Sequence, residues 1–211
     1  MIEVSEESEM TENTEELEVK ERLKLIETMI SEGRRTTESW GWTFVLWGVA
    51  YYVAIAWSIL GHNSWAWVIT MAATWLLMMA IIWRKTKRQT EKKPPTRAGR
   101  SITAIWTAMG ISMMMLFPAM GLSGRFTPQM FVAVAGAMLG TAHATSGMIL
   151  KWKAQMASAV VWWAASAIAC FANNTQCTIV FLLATFFSQI VFGIYAMICD
   201  ARRNKQEASH A

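Results

Sequence analysis

This sequence predicts an all-α polytopic membrane bundle: six transmembrane helices preceded by a cytoplasmic amphipathic helix. Three observations carry the prediction. Apolar residues make up 54% of the chain and charged residues only 16%, against roughly 25% charged in an average soluble domain. No Asp, Glu, Lys or Arg occurs between residues 39 and 83, and no soluble surface runs that far without charge. The charges that do occur are segregated. Of the fifteen acids, twelve precede residue 39, while the lysines and arginines fall into a few short clusters.

Residues 1–14 are polar and acidic, with too few apolar groups to offset the entropy of ordering, and are expected to form a disordered tail. Residues 15–35 read as the amphipathic helix. Val19, Leu23, Ile26 and Ile30 recur at helical spacing, and Glu18, Lys20, Glu21, Arg22, Lys24 and Glu27 cover the other faces. Such a helix can lie in the membrane interface, dock on the loops, or pair with a second copy as a short coiled coil. Gly33 is expected to end it, with Arg34 and Arg35 near the headgroups. The first thirty residues lack the basic, apolar, small-residue order of a signal peptide. Insertion is therefore expected to be driven by the first span.

Six apolar segments follow within residues 36–200, at about 42–60, 65–83, 102–120, 130–150, 154–172 and 177–199. Each is near the ~20 residues that cross hydrocarbon as a helix. Backbone groups in lipid must be satisfied within the segment, and a barrel would show alternating segments about half as long. Lys and Arg set the orientation. The 84–100 loop carries eight, the turn at Lys151 and Lys153 two, the tail 201–211 three, and the N-terminal region five. Six crossings place all eighteen on one side and Arg125 alone on the other, so the positive-inside rule puts both termini in the cytoplasm of an inner-membrane protein. Trp40, Trp42, Trp83 and Trp152 then mark the inner interface, and Trp57, Trp65 and Trp67 the outer one.

His143 is the one side chain inside a span that titrates near neutrality. It lies seven residues from the inner end of the fourth span, about 10 Å deep. Tyr51 and Gln189 fall about 14 Å deep; Thr107 falls at about 8 Å counted from Ile102 and about 20 Å from Lys93. His143, Gln189, Tyr51 and Thr107 are therefore expected to form a polar cluster in the inner half of the bundle. It could bind a small ligand or sense pH. The plainer alternative is interhelical hydrogen bonding as packing glue. Gly136, Gly140 and Gly147 share a face with His143. The GxxxG pair lets helices approach closely, inside the bundle or across a homodimer.

Cys170 and Cys177 flank the last outer turn. A disulfide there is conceivable, and two small apolar fillers are the alternative. Arg84, Lys85, Lys87, Arg88, Lys92, Lys93, Arg97 and Arg100 could hold anionic lipid headgroups at about 1 kcal/mol each, or merely fix topology. Aromatic interleaving and a DNA-binding helix pair are missing, so nucleic acid is not an expected partner. No catalytic constellation, cofactor motif or metal-ligand spacing occurs, and the spans hold no carboxylate of the kind proton-coupled transport uses.

Residues 27–57, where an Ile/Met-rich helix runs into a span carrying Leu46, Trp47 and Gly48, resemble a loose group of bacterial six-helix inner-membrane proteins with no established activity. The resemblance implies topology and no chemistry. The expected function is non-enzymatic: binding, sensing or scaffolding, alone or with a protein partner. The alternative is a permease-like subunit of a small-molecule or lipid transporter. A membrane-embedded enzyme ranks last.

Overall fold

The computed structural model describes residues 3–62, 65–88 and 97–209. These are helical, with no strand among them. The helices are α1 (Glu3–Ser39), α2 (Gly41–Leu60), α3 (Ala66–Arg88), α4 (Arg97–Leu122), α5 (Pro128–Ile149), α6 (Lys153–Ala169), α7 (Asn174–Thr185) and α8 (Phe192–Ser209). A π-helical turn, Phe186–Val191, joins α7 to α8.

Five helical stretches are long and apolar enough to cross a membrane: Glu16–Leu60, Ala66–Lys87, Arg97–Leu122, Pro128–Ile149 and Asn174–Ser209. The expected fifth span is shorter than the sequence suggested. α6 has 17 residues, about 25 Å at the usual helical rise. The chain leaves the helix after Ala169 and turns through Cys170 and Phe171.

The N-terminal elements also differ from expectation. α1 begins at Glu3 and takes in residues 3–14, where a disordered tail was expected. Gly33 does not end the helix. It is a packing glycine: a Cβ there would lie 2.8 Å from Leu150 Cδ2 and 3.0 Å from the Ala98 side chain. The break comes at Trp40, which separates α1 from α2. The basic 84–100 segment is partly helical, with Arg84, Lys85 and Lys87 on the last turns of α3 and Arg97 and Arg100 on the first turn of α4. Lys92, Lys93 and the side chain of Arg88 lie outside the described residues.

Local chemistry fixes the turns opposite that basic end. Thr127 caps α5 by accepting from the Met130 N–H at 3.2 Å, and Pro128 supplies a first residue that needs no donor. Asn173 and Gln176 form a reciprocal capping box on α7. Gln129 donates to Asn174 Oδ1 at 2.8 Å, tying the two turns together.

Helix contacts rest on small residues. A Cβ on Gly136 would meet the Trp162 carbonyl at 2.8 Å, and one on Gly140 would collide with the Trp163 ring. Ser166 donates to the Ala133 carbonyl at 2.6 Å across the same α5–α6 seam. A second close approach joins α2 to α8. Gly41 and Gly193 face each other, and a Cβ on either would stand 2.7 Å from the other's carbonyl oxygen. Around these contacts lie two apolar clusters. One holds Ile55, Val132, Leu139, Trp162 and Phe181, and the other Phe44, Ile102, Leu150, Trp152 and Phe192. Trp67, expected at an outer interface, packs on Tyr51 and Phe131 of the first cluster.

Gly193→Val should lower the thermal stability of the detergent-solubilised chain by about 1–3 kcal/mol, because the inserted methyls meet backbone rather than a movable side chain. Gly41→Val should do the same. Gly110→Ala, with nothing within 4 Å of the added carbon, should leave the unfolding midpoint unchanged or slightly raised. Equal effects at all three positions would contradict the packing described here.

Candidate functional site: a buried polar seam and a basic cleft

His143 sits fully buried on α5, and three rings enclose it. Trp106 of α4 stands edge-on at 5.0 Å, Phe192 of α8 edge-on at 5.5 Å, and Phe44 of α2 tilted at 5.6 Å. Neither ring nitrogen has a hydrogen-bond partner among the described residues. The expected cluster of four is only partly assembled. Gln189 is buried in the π turn, against Gly48 one helical turn from Phe44. Tyr51 lies in the other apolar cluster, against Phe181 at 5.2 Å. Thr107 is exposed on α4 and lines a shallow groove with Arg100, Thr103 and Ile111. Its neighbour Trp106 is the residue that faces His143. Adjacent helical residues point about 100° apart, so depth along the chain could not separate them.

Other buried polar residues lie on α5, α6 and the π turn. Ser146 follows His143 by one turn on α5, and Gln155, Ser158 and Trp162 run along α6 at spacings of three and four. Thr185 and Ser188 come from the end of α7 and the π turn. All are buried. Ser188 donates to the Ser158 carbonyl at 3.2 Å, joining the π turn to α6. Seven side-chain polar atoms of this seam have no partner among the described residues: both nitrogens of His143, both amide atoms of Gln155, Ser146 Oγ, Thr185 Oγ1 and Trp162 Nε1. A buried polar group left so costs about 1–3 kcal/mol. Single π turns are frequent at functional sites, and this one puts Ser188 and Gln189 into the seam. The signal that could have found α6 was present: Gln155, Ser158 and Trp162 mark one helical stripe.

The second feature lies at the basic end. The last turns of α1 meet α8 and the α5–α6 turn. Arg34 Nη2 donates to the carbonyls of Leu150 and Lys151 at 3.0 and 3.1 Å, covering the open end of α5. Its guanidinium lies 6.0 Å from the Trp152 ring. Arg35 and Glu207 form a two-pronged pair at 2.9 and 3.0 Å. Arg203 Nη2 stands 2.8 Å from Glu38 Oε2 and donates to Oε1 at 3.1 Å. Glu38 is only 3% exposed. Burial pushes its carboxyl above the usual range, while Arg203 and Arg34 pull it back and Asp200 adds to the rise. A cleft of about 480 Å³ opens here, lined by Arg34, Glu38, Trp152, Tyr195, Arg202 and Arg203, with Cys199 and Gln206 beside them. The sequence placed Arg34 and Arg35 near one another but gave no partner for either.

Cys170, Cys177 and Cys199 are free thiols. Cys177 is buried against the carbonyls of Ala169 and Ala172, and Cys170 is exposed beside the Ser166 carbonyl. The structure therefore has no disulfide across the α6–α7 turn. Among the described residues, no three His, Cys, Asp or Glu side chains converge as a metal site would require. Comparison with protein-family models, curated proteins and solved structures finds no match to the chain.

His143→Leu fills the same aromatic box without an unpaired polar group, so thermal stability should hold or rise by about 1 kcal/mol. His143→Ala should lower it by about 2–4 kcal/mol through the cavity it leaves. A large loss with leucine would mean that the imidazole makes a polar contact essential to the fold.

Proposed function

We propose that the chain is an integral inner-membrane protein that crosses the bilayer six times, with both termini in the cytoplasm, and works by binding rather than by covalent chemistry. It serves as a sensing or scaffold component. The observation that carries the insertion is the distribution of polarity. Val68, Leu76 and Leu77 of α3 and Met114 and Met115 of α4 are 50–72% exposed. His143, Gln155, Ser146 and Thr185 are fully buried. Water would penalise that outward face, since soluble monomers rarely expose apolar patches beyond a few hundred Å². Lipid carries no such penalty.

Six crossings take α2, α3, α4, α5, α6 and the continuous α7–α8 rod. α6 is the short one, accommodated by local thinning or by its neighbours on both sides. Orientation rests on the eighteen-to-one segregation of Lys and Arg. Lys85 lies over Trp42 at 4.9 Å and Lys87 over Trp83 at 4.6 Å. These are the amphipathic contacts that suit a headgroup layer. Support for binding over the permease-like alternative comes from the seam. Its residues are no more than 5% exposed, whereas the cleft at the basic end is open.

Alkaline carbonate washing should leave the chain in the membrane fraction. In a cysteine-free background, Ser123→Cys should react with an impermeant maleimide in intact cells. Ser209→Cys should react only in inverted vesicles. Labelling of Ser209→Cys from outside would overturn the orientation, and release by carbonate would overturn insertion itself.

A further inference from the structure

The cleft between α1 and α8 has a charge balance that the protein does not close. Three arginines line it, Arg34, Arg202 and Arg203, against one carboxylate, Glu38. Arg203 is matched to Glu38 at 2.8 Å. Arg34 spends its Nη2 on two neutral carbonyls, and its buried Nε has no acceptor. Arg202 is exposed and has no ion-pair partner among the described residues. Asp200 acts on Glu38 without lining the cleft, and Arg35 and Glu207 neutralise each other outside it. The walls suit a ligand with a less polar part. Trp152 and Tyr195 stand 6.2 Å apart, centroid to centroid, and Phe192 lies behind Trp152 at 5.2 Å.

The geometry points to this cleft as a binding site for a phosphate-bearing anion, held by Arg34 and Arg202, with the third arginine, Arg203, kept from it by Glu38. Guanidinium groups match phosphate oxygens with paired, charge-assisted hydrogen bonds, and two uncompensated arginines suit one phosphate group. Glu38 is the internal rival: its carboxylate occupies Arg203, the third arginine of the cleft, and its charge opposes an anion bound beside it. The phosphate has two possible sources, a lipid headgroup entering from the bilayer edge and a soluble phosphorylated compound entering from the aqueous side. The inference rests on the binding reading above, to which it gives a ligand class and a place. It does not use the basic 84–100 segment.

The test uses the full chain purified in mild detergent or in lipid nanodiscs. Inorganic phosphate titrated by calorimetry probes the soluble source. Native mass spectrometry from nanodiscs of phosphatidylcholine, with and without phosphatidylglycerol, probes the headgroup source. Arg202→Gln, at an exposed position, should weaken the bound anion about tenfold, the size of one hydrogen bond to a charged group. Glu38→Gln keeps the shape, removes the rival charge, and should tighten the anion about tenfold. A gain of affinity cannot come from misfolding. Phosphatidylglycerol retained with that order of variants assigns the site to a headgroup. Phosphate titrating in that order without lipid retention assigns it to a soluble ligand. Binding of neither anion, or binding indifferent to both substitutions, overturns the proposal. That failure would leave the carbonate and labelling results standing, so the two readings fail separately.

Discussion

Gly136, Gly140 and Gly147 bring α5 into backbone contact with α6, and the rest of the bundle is arranged around that pair. At Gly136 the neighbour is the Trp162 carbonyl, at Gly140 the Trp163 ring, and at Gly147 the backbone of Met156 and Gln155. A side chain at any of them would push the helices apart. The close pair then fixes what lies on its two sides. His143 and Ser146 share a stripe of α5, and Gln155, Ser158 and Trp162 a stripe of α6. The π turn packs on α6, where Ser188 donates to the Ser158 carbonyl. The short Lys151–Trp152 turn leaves the end of α5 open to a donor from elsewhere, and Arg34 supplies it. That contact ties the last turns of α1 to the end of α5.

Polarity is distributed to match. Glycine, alanine, serine and aromatic side chains dominate the space between helices, while many of the leucines, methionines and valines lie outside. Apolar packing between helices cannot be the driving force where the surroundings are as apolar as leucine. Close approach through glycine, serine and alanine takes its place. Ser166 on Ala133 and Ser188 on Ser158 are hydrogen bonds of the kind such helices use. The Gly41–Gly193 contact does the same work between α2 and α8.

The helices were legible because hydropathy is a local property. Each apolar run, read alone, gives its own length and position within a few residues. What each helix faces is not local. Thr107 and Trp106 have the same depth, and only the rotation of α4 decides which meets His143. Gly33 reads as a stop signal in sequence. It became a contact point because Leu150, more than a hundred positions away, needed the space. Gly41 and Gly193 carry no local pattern, whereas Gly136 and Gly140 do, since their spacing falls within one helix. His143 was legible as the lone titratable group in an apolar run. The buried polar residues of α6 are less legible, because Gln155 and Ser158 lie close to Lys153 and look like the edge of a loop.

The charges at the end of α1 are the least legible part and the most consequential. Glu38 is a carboxylate buried at an element boundary, where removal from water opposes its ionisation. Such a pair is a weak source of net stability, because desolvation offsets most of the attraction. It is a strong source of specificity: Glu38 must find Arg203, and Arg35 must find Glu207, one helical turn apart on both partners. A shift of α1 by a turn would break both pairs and strand Glu38 without a counter-charge. The apolar contacts alone would tolerate such a slip better, since Gly33 asks only for space. The ion pairs therefore favour one register of α1 on α8, and they leave Arg34 and Arg202 without an ion-pair partner among the described residues.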